Sequence, residues 1–122
     1  MATLNDRVFD NGLTVLDTEA NAIHITSAEA TDFANVSTVT LGNSTSLSIG
    51  APADRAGGGR EVTAATITDG SVTGTGTATH YAIVDTVNSR LLATGSLSAS
   101  QGVTSGNTFT LTSVDIGIPD PA

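Results

Sequence analysis

The chain has 122 residues, a formal net charge of −8 and no Cys, which bounds the reading to one domain of ordinary size without disulfides or thiolate metal sites. Lys is absent and the four cations, Arg7, Arg55, Arg60 and Arg90, are scattered; nucleic acid and anionic membranes both call for clustered basic residues, so neither partner fits. With 39% hydrophobic but only 3% aromatic residues, beside 21 Thr and 12 Ser, the core must be built from Val, Ile, Leu, Ala and Thr methyls, and β-branched side chains favour extended backbone.

The N-terminal stretch lacks a basic region followed by an apolar run, so no secretory signal is expected, and no apolar run reaches membrane-spanning length. Leu4, Val8 and Phe9 precede an Asp10-Asn11-Gly12 turn signal, after which Leu13, Val15 and Leu16 follow. Two readings stand here: an N-terminal arm over 1–12 plus a short strand, or a helical turn ending near Asp17. Ala22–Thr26 alternates Ile23 and Ile25 against His24, a strand pattern. Residues 28–35 form the one segment with helical character, a turn or two. Strands are expected over Asn35–Leu41 and Ser46–Ile49.

Residues 50–60, with Gly57-Gly58-Gly59, read as a mobile surface loop, since consecutive glycines carry high backbone entropy. Beyond it the β pattern is dense. Val62–Thr68 and Ser71–Thr77 are expected as strands about an Asp69-Gly70 hairpin turn. The central hairpin follows, Thr79–Asp85 and Leu91–Leu97 about the polar connection 86–90. Alternation places His80, Ala82 and Val84 on one face and Tyr81, Ile83 and Asp85 on the other. Residues 99–107 are expected as a loop and Thr108–Ile118 as the last strand, ended by Pro119 and Pro121. The fold class is therefore all-β, an antiparallel β-sandwich or barrel-like domain over 13–122 with at most one short helix and an N-terminal arm.

Ser, His and Asp are all present, but no Ser stands in a Gly-x-Ser-x-Gly elbow and both His24 and His80 fall mid-strand among apolar neighbours, which suits a strand histidine better than a general base. Asp10, Asp17 and Glu19 lack the alternating oxygen spacing of a Ca²⁺ loop. Gly74-Thr75-Gly76 and the Gly57–Gly59 run do not continue into Gly-Lys-Ser/Thr, so they are read as strand and loop glycines. Asn35-Val36-Ser37 and Asn43-Ser44-Thr45 match the glycosylation pattern and mean little without a leader. No catalytic residue, metal or cofactor is assigned, and the expectation is a binding or assembly protein, not an enzyme. Its candidate contact residues are Arg7, Val8 and Phe9 in the arm and Arg55 and Arg60 around the glycine loop, and the two chain ends, the arm with Val8 and Phe9 and the tail over 117–122, suit docking by strand addition.

Three stretches carry a resemblance: Leu13–Glu29, Gly74–Asp85 and Gly106–Pro119. Together they resemble small virion proteins encoded near the capsid genes of tailed phages and prophages, of the capsid decoration (cement) type. The resemblance implies a structural role on the outer surface of the head, with the major capsid protein and neighbouring copies of this chain as partners. It implies a homo-oligomer on the particle, a trimer among the options, and synthesis in the host cytoplasm. A tail, neck or host-recognition module is the alternative within the same kind of particle, and a hydrolase using His24 or His80 the remote one. The resemblance rests on packing and turn motifs and transfers no catalytic residue.

Overall fold

The computed structural model describes residues 6–119, with side chains from Asp10 onward. The chain is mostly β, all strand pairs are antiparallel, and the described residues form two compact units.

The first unit joins α1 (Asp6–Glu19) to a three-stranded sheet of order β3-β4-β9, with β3 at Ala53–Asp54, β4 at Arg60–Ala64 and β9 at Val114–Ile118. The N-terminal segment is thus a full helix that runs through the Asp10-Asn11-Gly12 turn signal. Leu13 and Leu16, three apart, are buried together with Val62 and Ala64, and this apolar stripe outweighs the local turn preference. Gly12 faces the sheet, where a Cβ would lie 3.8 Å from Ile118 Cδ1. The expected strand at 46–49 is reduced to a single bridge, Ile49 to Ala64. The glycine run closes the β3–β4 hairpin: Gly57, Gly58 and Gly59 all take positive φ, a region that costs a residue with a Cβ. At Gly59 such a Cβ would also strike the Ile118 carbonyl oxygen.

The second unit is a six-stranded sheet of order β7-β6-β1-β2-β5-β8, with α2 beside it. Its strands are β1 (Ala22–Thr26), β2 (Thr40–Ser44), β5 (Ile67–Val72), β6 (Gly76–Asp85), β7 (Arg90–Val103) and β8 (Thr108–Leu111); α2 is Phe33–Val39. The end strands β7 and β8 are consecutive in the chain, separated by residues 104–107. Laid flat, six strands put the outermost two about 24 Å apart, whereas five Cα steps reach about 17 Å. The sheet must therefore curl its edges toward each other, as a barrel does.

One face of the curl carries Ile23, Ile25, Tyr81 and Ile83, all buried. The aromatic rings on it need glycines. Gly95 pairs with Tyr81, and a Cβ there would come within 2.6 Å of the Tyr81 ring; at Gly70 it would come within 2.2 Å of the Phe109 ring. The opposite face buries Ala22, Ala82 and Val84 with Ala30 and Val36, flanked by Phe33, Val39 and Leu91.

Several expected boundaries move. Asn35–Val39 is helical because Asp32 caps it, accepting from the Asn35 backbone N–H at 2.8 Å, and because Phe33, Val36 and Val39 form a stripe at helical spacing. Asp69-Gly70 is not a turn. It lies inside β5 at an irregularity in the ladder to β8, where Gly70 seats Phe109 and the Asp69 carboxylate accepts from the hydroxyls of Ser44 and Ser46. β7 runs on to Val103 across the expected loop. The single strand expected over 108–118 is split at Thr112-Ser113 into β8 and β9, one for each sheet.

Candidate functional site

The side chains with chemical capability are held, one by one, in local structure. His24 stands on β1 with Nδ1 2.8 Å from the Thr40 hydroxyl oxygen, and burial pushes its pKa below the usual imidazole value, which keeps the ring neutral near pH 7. It borders an open groove of about 350 Å³ walled by Phe33, Ala34 and Val36 of α2. His80 pairs across the sheet with Thr26 and Ser96, its Nδ1 2.8 Å from the Thr79 hydroxyl. The two histidines share one face of the sheet, because His24 is in register with Ala82 and His80 with Thr26. Among the described residues no group of three His, Asp or Glu side chains gathers in metal-binding range.

Asp85 and Asp69 are likewise held by hydrogen bonds of the fold. Asp85 accepts from the Asn88 side-chain amide at 2.8 Å and from the backbone N–H groups of Val87 and Asn88; these bonds, the Asn88 side chain foremost, hold its carboxyl below the usual range. They close the β6–β7 turn, in which Ser89 takes φ 56°. Asp69 is held low in the same way, first by Ser46 and then by Ser44.

Of the candidate contact residues, Arg7, Val8 and Phe9 have backbone in α1, and their side chains lie outside the described residues. Arg55 donates to the Gly58 carbonyl within the hairpin loop. Arg60 is largely covered, its side chain 17% exposed, and ties β4 to α1 through Asp10 at 2.9 Å and to β3 through Asp54 at 2.6 Å. The structure thus brings Arg55 and Arg60 to one hairpin, with their guanidinium groups engaged inside the first unit.

The feature that sequence reasoning did not find is a seam. β7 and β8 are the two edges of the curled sheet and pair with β6 and β5, not with each other. Their connection is anchored to the end of β5 and to the β5–β6 connection, with Gly106 N–H donating to the Val72 carbonyl and Ser105 N–H to the Thr75 hydroxyl oxygen. From that anchor the two edges run on without pairing to each other. The opening holds about 240 Å³ and is lined by residues 101–104 and 107–110, none of them charged. One side chain crosses it: the Gln101 carboxamide Nε2 lies 3.5 Å from the Thr110 carbonyl oxygen. Turn residues Thr104-Ser105-Gly106-Asn107 were the available signal that β7 ends at 103, but nothing local marks that its neighbour is elsewhere.

The chain matches no family model, no curated protein and no solved structure. Among the described residues no helix is long and apolar enough to cross a membrane. Function must therefore be argued from the site itself. What the arrangement offers is not a pocket of converging titratable groups but strand edges. Among them, β7 carries no charge and no proline from Leu91 to Val103.

Proposed function

We propose that this protein is a structural component of a tailed-phage head, a decoration protein that binds the outer surface of the capsid and stabilises the shell. The observation that supports the reading best is the contrast between engaged side chains and an open backbone edge. His24, His80, Asp69, Asp85 and Arg60 each serve a local hydrogen bond or ion pair of the fold, while β7 presents an uncharged edge of the kind that adds to another chain. The resemblance in three stretches points the same way, and it falls on the second half of α1 and on β1, β6, β8 and β9.

On this reading the chain performs no catalysis and its partners are the major capsid protein and neighbouring copies of itself. A surface bearing −8 keeps free copies soluble and apart. Many symmetry-related sites on a shell make modest affinity per contact sufficient. The test is the location and copy number of the protein in an electron-microscopy map of the particle. A ratio to the capsid subunit near one, or a simple fraction of one, is expected. A few copies confined to the tail or neck would replace this reading with that of a tail module.

A further inference from the structure

We propose that the seam between β7 and β8 receives one extended, uncharged peptide segment of the shell protein, which adds as a strand to the edge of β8. The inference rests on the head-surface reading above and names the contact through which it would be realised.

Three observations carry it. First, both edges are open: β7 bonds only to β6 and β8 only to β5, and an opening of about 240 Å³ lies between residues of the two. An extended segment can add to an unpaired edge of this kind. Second, the chemistry is that of a peptide group. The Gln101 carboxamide already points its Nε2 at the Thr110 carbonyl, and a side-chain amide on a strand-edge carbonyl occupies the place of a backbone N–H. At 3.5 Å that bond is long and readily exchanged for a better one. Third, the lining bears no charge in a chain whose net charge is −8. A charged segment would lose its hydration there without an ion-pair partner, so the entering strand is uncharged on the residues that fill the seam.

The orientation of Thr110 provides the test. Its carbonyl faces the seam, and in an antiparallel strand the N–H of the same residue points to the same side. Phe109 and Leu111, on either side, are in register with Gly70 and Ile67 of β5. Thr110→Pro therefore removes a seam-facing donor while leaving the ladder to β5, an outward edge position of the kind that tolerates proline. Thr110→Val keeps the N–H and serves as the control.

The full chain, wild type and both variants, is added to heads lacking it, and occupancy is measured. Wild type and Thr110→Val should load alike, and Thr110→Pro should load at least ten-fold less well while its thermal unfolding shows a folded protein. Hydrogen exchange at the Thr110 amide of wild-type protein, fast when free, should slow at least ten-fold on the head. This second readout decides the matter if the proline variant does not fold. Loading of a folded Thr110→Pro variant at the wild-type level, or unchanged exchange at Thr110 on the head, overturns the seam contact while leaving the head location standing. Wild-type protein that does not bind heads at all overturns both. Protection of Thr110 in the free protein that rises with concentration would show a second copy in the seam and would also overturn the proposal.

Discussion

At the scale of single residues, two rings and their glycines set the inner face of the curled sheet. Gly70→Ala would place a methyl 2.2 Å from the Phe109 ring, and overpacking of this kind costs about 1–3 kcal/mol. Chemical denaturation should show that loss, and in a Phe109→Leu background the same substitution should cost less, a coupling that a double-mutant cycle isolates. Thr26 gives the opposite sign. It is fully buried and its hydroxyl has no hydrogen-bond partner, so Thr26→Val should raise stability by about 1 kcal/mol by removing an unsatisfied group. His24 adds a pH dependence. Its folded pKa lies below its ordinary value of 6.5, so between those two values the unfolded chain binds more protons than the folded one. Its contribution is whole above about pH 6.5 and declines as pH falls from there through the folded value. Denaturation midpoints of wild type and His24→Gln, measured across that window, should converge as pH falls.

At the scale of elements, strands with strong alternation were legible and junctions were not. Ile23 and Ile25, and the Tyr81–Asp85 run, announce β1 and β6 because period two is a local property. The turn at 86–89 was legible for the same reason, being written in Asn88 and its neighbours. α1 was missed in part because its apolar stripe, Leu13 and Leu16, is short and interrupted by residues that favour turns when judged alone. Asp69-Gly70 misled because its glycine answers to Phe109, 39 positions further on, and no local window contains both. Two predictions belong here. Asp10→Asn should loosen α1 from β4 by about 1 kcal/mol, the scale of a partly exposed ion pair, seen as faster amide exchange in the helix. Ser89, at φ 56°, sits where glycine has no steric penalty, so Ser89→Gly should be neutral or stabilising in thermal unfolding, by up to about 1 kcal/mol.

At the scale of the whole molecule, charge governs association. With −8 on every copy, approach of two molecules is opposed over a Debye length of about 30 Å in 10 mM salt and about 8 Å at 0.15 M. Any self-association seen in sedimentation equilibrium should therefore strengthen as salt is raised over that range. A protein held together through opposite charges would show the reverse trend. Composition made this scale legible from the outset, since the absence of Lys and the spread of four arginines need no structure to read. The division of the chain into two units was not legible, because it depends on where a nominally continuous strand, 108–118, changes sheets.

The seat of Tyr81 has an optical consequence. It is the chain's one tyrosine and there is no tryptophan, so the native emission comes from a single phenol packed against Gly95 in the six-stranded sheet. The unit containing α1, β3, β4 and β9 holds no such fluorophore and is dark to this probe. Fluorescence and far-ultraviolet circular dichroism thus sample different parts of one polypeptide. Superimposable melting curves from the two would mean that both units come apart in one concerted step.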